Sequence, residues 1–248
     1  MTSNEVRQAF ARYLALPNSL ADLRYRILRP RGGRGYPLPY ATTYVIETEP
    51  DAQCLVYRLS EARHYSRPKP GKADTLLYVS HHSADLELRQ DEWVRKQIPA
   101  GKGNNAFYAC DVRGTGESRP DTCGENSFLQ PYGSDYFYAI HGIMLNRPYV
   151  GQKTLDVLQV LRWLEAAGHS RIQIVAQGWG SLPAAFAAMY SNVVTSIRLK
   201  GALDSFHSIA TSQEYQWPLS SFVPSILNEV DLTDCYTLLK AEKDLELL

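Results

Sequence analysis

The sequence predicts an α/β fold in which a mostly parallel central sheet is flanked by helices. Three observations carry that prediction. Four apolar runs, TLLYVS (75–80), AFYACDV (106–112), RIQIVAQ (171–177) and SIRLKGAL (196–203), each have the length of a strand. The segments between them are long enough for helices, and strands alternating with helices build a parallel sheet covered on both faces. One such segment, 152–167, sets Val157, Val160, Leu161 and Leu164 at i, i+3, i+4, i+7 spacing with Gly168 as a stop.

The remaining elements follow in chain order. Residues 4–16 place Val6, Phe10, Tyr13 and Leu14 at helical spacing until Pro17 and Asn18 end the run, which predicts a docking helix. The stretch LRPRGGRGYPLP (28–39) is rich in Gly, Pro and Arg and reads as a connecting arm without a regular element. TTYVIETE and AQCLVYRLS, either side of Pro50 and Asp51, are β-branched and aromatic and predict a hairpin. Asp121 to Val150 is aromatic but weakly periodic, as an excursion over a site would be. At 248 residues and 44% hydrophobic content the chain can bury one core. A single domain over 1–248 is expected, with a helix and arm in 1–40 and the sheet-and-helix core in 41–248.

Composition narrows function by exclusion. Twenty-six basic residues balance twenty-six acidic ones, so no net field draws the chain to nucleic acid or an anionic membrane. No apolar run is long enough to span a bilayer, and the start of the chain lacks an apolar signal core, so a soluble, cytoplasmic protein is expected. Cys54, Cys110, Cys123 and Cys235 are too scattered for zinc-ligand pairs or a disulfide scaffold, which predicts free thiols. No cofactor and no metal is implied.

The chemistry-bearing feature is Ala176-Gln177-Gly178-Trp179-Gly180-Ser181, between a clean strand and the small-residue helix LPAAFAAMY. A strand-to-helix turn of the form G-x-S-x-G lifts a nucleophilic serine above a sheet, and its neighbours must be small because strand and helix come close. Ala176 and Gly180 supply the smallness, which puts Gly178 at the nucleophile position. Taking Ser181 as nucleophile places Trp179 before it and Pro183 after it, a poorer register. A plain glycine turn, or a dinucleotide-type helix N-terminus, is the bland alternative, though Pro183 stands where that fingerprint wants a third glycine.

A second motif, Asp111-Val112-Arg113-Gly114-Thr115-Gly116-Glu117-Ser118, follows the AFYACDV strand. With the turn at 176–181 it resembles the α/β hydrolases, whose fourth strand is commonly followed by D-x-R-G-x-G-x-S. The passage 142–164 resembles the acetyl-xylan-esterase-like and dienelactone-hydrolase-like branch. The resemblance spans roughly residues 74–210. It implies oxyanion donors at the Trp179 amide and in the loop Ser80-His81-His82-Ser83, with Gln177 beside the pocket. It also implies structural roles for Asp111, Arg113, Gly114, Gly116 and Gly180, Arg113 anchoring its turn. The family needs a later acid and a C-terminal histidine, whereas this chain stops at DLELL where a further strand begins, so the fold is expected to be shortened at that end.

His81, His82, Asp204 and His207 fall at strand ends, where open α/β sheets place their sites. Asp204 and His207 as an acid/base pair, or two histidines and a carboxylate as a metal site, stand against capping and loop roles. His141 reads as a buried, hydrogen-bonded histidine, and His64 and His169 as exposed turn residues. Tyr132, Tyr136, Phe137 and Tyr138 either line a cavity or pack the excursion, and Cys110 reads as an inert core thiol. Three functional classes follow. One is a pseudoenzyme binding a small ester or acylated sugar. The second is a hydrolase activating water without serine. The third is a subunit completed by another chain, associating as a homo-oligomer or otherwise through the sheet edge left open.

Overall fold

The computed structural model describes residues 1–28, 31–32, 34–63, 74–99, 106–119, 134–214 and 216–248. Helix α1 (Ser3–Tyr13) begins at a reciprocal cap, in which Thr2 accepts the Glu5 amide and Glu5 accepts the Thr2 amide. It buries Val6, Ala9 and Phe10. The arm holds more regular structure than its composition implies. Strands β1 (Arg24–Ile27) and β2 (Arg31–Gly32) both pair antiparallel with β3 (Tyr40–Glu49). The edge of β3 offers backbone partners that local composition cannot reveal. Strands β3 and β4 (Ala52–Ser60) form the expected hairpin, with Asp51 in the left-handed region at φ +63°.

The alternating part of the chain then runs β5 (Thr75–Val79), α2 (Ala84–Gln90), α3 (Glu92–Gln97), β6 (Ala106–Asp111), α4 (Ser134–Met144), α5 (Tyr149–Ala166) and β7 (Ile172–Gln177). It continues through α6 (Ser181–Tyr190), β8 (Val194–Lys200), α7 (Phe206–Thr211), α8 (Leu232–Glu242) and β9 (Asp244–Leu247). The nine-stranded sheet has the order β1-β3-β4-β6-β5-β7-β8-β9, with β2 beside β3. From β6 to β9 all pairings are parallel.

Alternation along the strands sorts the core into two layers. Leu77, Val79, Tyr108, Cys110, Ile174 and Ala176 face α1, α5, α6 and α8, whereas Tyr78, Phe107, Ala109 and Val175 face α2 and α3. Within the predicted excursion, 134–144 is helix α4, and Tyr132 and Cys123 lie outside the described residues. The segment DLEL completes a strand, β9, parallel to β8, so the outer edge of the sheet lies one strand beyond SIRLKGAL.

This topology fixes where a site belongs. Strand β5 sits between β6 and β7, and the chain leaves β5 toward one face and reaches β7 from the other. At such a reversal the connecting loops diverge and leave a crevice beyond the carboxyl ends of the strands. Ser80 to Ser83 and Gly178 occupy those ends.

Candidate functional site

Strand β7 passes through one 3₁₀ turn, Gly178–Gly180, straight into α6. Gly178 takes φ +50°, a conformation costly for any residue with a Cβ. A Cβ on Gly180 would collide with the carbonyl oxygens of Ser80 and Val79, so this turn is seated directly on the end of β5. Ser181 is fully buried and donates its hydroxyl to the Gly178 carbonyl at 2.6 Å, which commits it to closing the turn.

The space above Gly178 is occupied. A Cβ built there would lie 2.6 Å from His81 Nδ1 and 2.7 Å from its Cε1, so the imidazole fills the volume a serine side chain needs. The Trp179 amide donates to His81 Nδ1 at 3.0 Å. His82 stacks on His81 with centroids 3.5 Å apart, and Trp179 stands edge-on to both rings. Burial, reinforced by neighbouring His82 and opposed by Asp91, pulls His81 down to about 4. The ring is therefore neutral near pH 7, and because Nδ1 accepts, the proton sits on Nε2.

The loop after β5 is equally committed. Glu87, buried on α2, accepts the His81 amide at 3.1 Å, the His82 amide at 2.7 Å and the Ser83 amide at 3.1 Å, and the Tyr78 hydroxyl at 2.7 Å. Both sets of amides expected to serve an oxyanion are thus already bound internally, one to an imidazole and the other to a carboxylate. Gln177, expected beside the pocket, donates to Asp91 at 2.9 Å and so fastens the cap of α3 to the turn.

The Asp111–Ser118 turn is a knot of buried hydrogen bonds. Asp111 accepts from Ser80 Oγ, the Ala84 and Glu117 amides and the Tyr57 hydroxyl, while burial pushes its carboxyl upward. Gly116, at φ +48°, lies so close that any Cβ would strike that carboxylate. Arg113 grips buried Asp156 through its backbone amide and guanidinium and reaches Glu49 at 2.7 Å and Thr48 at 3.1 Å. Gly114 completes the turn at φ +78°.

No protein-family model and no curated protein matches the chain. Solved structures do. A putative acetyl xylan esterase from Bacteroides fragilis superposes with TM-score 0.70 at 14% identity, over 99% of this chain and 66% of that one. A glucuronoyl esterase from Solibacter usitatus gives 0.56 at 13% identity, over 99% and 72%. An acetyl xylan esterase from Paenibacillus sp. R4 gives 0.52 at 16%, over 97% and 73%. This is an α/β-hydrolase fold. The chain spans about two thirds of the length of the first of these structures.

Gly178 lies in the turn between β7 and α6, and the other residues weighed from sequence lie at varying distances from it. Asp204 and His207 are both exposed, Asp204 just before the Ser205 cap of α7 and His207 in its first turn, where Asp231 accepts the Phe206 and His207 amides. Among the described residues no hydrogen bond, ion pair or ring contact joins either to Gly178, His81 or His82. Among the described residues no three histidine, cysteine, aspartate or glutamate side chains gather as a metal ion requires, and no helix is long and apolar enough to cross a membrane.

Two histidine expectations reverse. His169 is 1% exposed, bridged by Thr75 at 2.7 Å and Tyr108 at 3.2 Å, because the turn after α5 tucks under the sheet. His141 is exposed, since that face of α4 points outward. His64 lies outside the described residues. Phe137 and Tyr138 are largely exposed, and Tyr138 stacks on Tyr149 where both line a cavity of about 450 Å³ beside Arg113 and Gln152. Cys54, Cys110 and Cys235 are buried free thiols. The sole sequence signal for Glu87 is its four-residue separation from Ser83 across a helix start, where a carboxylate can turn back on its own loop.

Proposed function

We propose that the chain is a noncatalytic, ligand-binding α/β-hydrolase-fold module that does not carry out serine-dependent ester hydrolysis. The observation that carries this reading is the His81 imidazole in the volume of the missing nucleophile side chain, hydrogen-bonded to the Trp179 amide. Covalent acyl transfer needs a nucleophile, a base and free oxyanion donors. Gly178 supplies no nucleophile, His81 points its only free electron pair at an amide, and Glu87 holds the loop amides. A small ester or acylated sugar is the ligand class to which the likeness to the acetyl xylan esterases points.

The test is reaction with a fluorophosphonate probe and release of 4-nitrophenol from its acetate, for wild type, Gly178→Ser and Gly178→Ser/His81→Ala. All three are expected to stay at the uncatalysed background. A covalent adduct on the single variant with turnover above background would overturn the reading.

A second reading concerns assembly. The outer edge of β9 has no partner strand among the described residues, and Leu247 beside it is exposed. Unpaired edges invite pairing. A homo-oligomer joined through this edge should dissociate when Leu245 or Leu247 is replaced by proline, whereas a monomer at micromolar concentration by light scattering sinks that assembly.

A further inference from the structure

Lys153 lies on the inward face of α5 and is 6% exposed. Buried lysines ordinarily end at a carboxylate. The nearest candidate along the helix, Asp156, is taken up by Arg113, and no carboxylate of the described residues lies within ion-pair distance of Lys153. Its amine instead rests 4.9 Å from the centre of the Tyr149 ring.

The second group is Asp135, in the first turn of α4 and 3% exposed, whose Oδ1 has no hydrogen-bond partner among the described residues. Tyr138 stacked on Tyr149, centroids 6.0 Å apart, pins α4 against α5. Asp135 lies one turn before Tyr138 and Lys153 one turn after Tyr149, and the Asp135 charge acts on the Lys153 amine. The third group is His82, whose buried Nδ1 is also without a partner among the described residues and whose ring feels the Lys153 charge. An amine, a carboxylate oxygen and an imidazole nitrogen thus share one buried neighbourhood, at the carboxyl end of the sheet, without saturating one another. Burial disfavours the ammonium form of Lys153, with Asp135 and Asp156 pulling the other way.

We propose that Lys153 is a carbonyl-trapping amine that condenses with a small aldehyde. The Nζ lone pair forms a bond to the carbonyl carbon while the C=O π pair moves to oxygen. Asp135 takes the proton that nitrogen sheds and returns it to that oxygen, giving a carbinolamine. Asp135 then takes the second proton from nitrogen and passes it to the hydroxyl group, which leaves as water while the nitrogen electron pair forms the C=N bond. Amine and aldehyde become imine and water, with no oxidation or reduction. The elbow takes no part, so this proposal stands or falls apart from the reading of Gly178.

The folded protein is incubated near pH 7 with acetaldehyde and sodium cyanoborohydride, which reduces imines as they form, and each lysine is followed by peptide mass spectrometry. Alkylation of Lys153 should exceed that of exposed Lys96 and Lys240 by about tenfold or more, and Asp135→Asn should slow it by about the same factor. Unfolding in urea should erase the excess, a control that also serves if Lys153→Met does not fold; if it folds, the fast phase should vanish. Lys153 reacting no faster than Lys96 in the folded chain, or a rate unchanged by Asp135→Asn, would overturn the proposal.

Discussion

Replacing Gly178 by alanine should destabilise the fold by about 2–5 kcal/mol. Holding a Cβ-bearing residue at φ +50° costs roughly 1–2 kcal/mol. The new methyl carbon also lands 2.6 Å from His81 Nδ1, so the imidazole must move. Its neighbours leave little room, because His82 is stacked on one side and Trp179 stands against the ring. Displacement strips the Trp179 amide of its acceptor, and a part-buried donor left unpaired costs about 1–3 kcal/mol. For a chain of this size the sum lowers the melting temperature by on the order of 10 °C. Thermal unfolding followed by circular dichroism reads it. His81→Ala supplies the decisive comparison, since removing the ring first opens the space and leaves only the backbone strain. The two substitutions should therefore be non-additive by about 1–3 kcal/mol. Additive effects, or a single-variant shift under about 2 °C, would refute the claim that the ring occupies the space above Gly178.

Three further outcomes are expected. His81, held neutral by burial, gains its proton in the unfolded chain as pH falls below about 6.5, so the stability it lends above that pH drains away toward pH 4. After allowance for its partial exposure this amounts to about 1–2 kcal/mol, and melting temperature against pH should flatten over that window in His81→Ala; parallel curves for the two proteins would contradict it. Nitrogen NMR should find His81 as the Nε2–H tautomer, and an Nδ1–H resonance would remove the Trp179 bond from consideration. Arg113→Ala leaves Asp156 buried and unpaired and should cost about 3–5 kcal/mol in urea unfolding. Arg113→Lys should recover only part of that loss, because one ammonium cannot reproduce the forked contacts to Asp156, Glu49 and Thr48, and full recovery would show that charge alone matters.

What the sequence disclosed follows physical lines. The parallel strands and α5 were legible because burial imposes periodicity on apolar residues. The need for a small residue at Gly180 was legible, because backbone pressed against Ser80 tolerates nothing larger than hydrogen. Gly116 was legible for the same reason, with the Asp111 carboxylate as the obstacle. The occupant of the crevice was not. His81 and Glu87 act through loop geometry, in which neither spacing nor composition distinguishes a ring turned inward from one left in water. His169 and His141 make the same point. One follows a glycine turn yet is enclosed by Thr75 and Tyr108, and the other sits in an apolar-looking segment yet faces outward. The strands of the arm were hidden because their partner, the edge of β3, is a feature of the sheet rather than of the arm.

The Glu87 carboxylate lies only a few residues from the three amides it holds, and that short tether gives it a competitive standing no dissolved anion has. A freely diffusing carboxylate or boronate must displace a rival that dilution cannot remove. High acetate in a buffer, or a tetrahedral inhibitor built for esterases, meets a loop whose donors are permanently addressed from within the same chain. If the protein binds a ligand at this end of the sheet as proposed, a library screened against it should be ranked by what each compound offers to rings and amines rather than by how well it imitates an oxyanion.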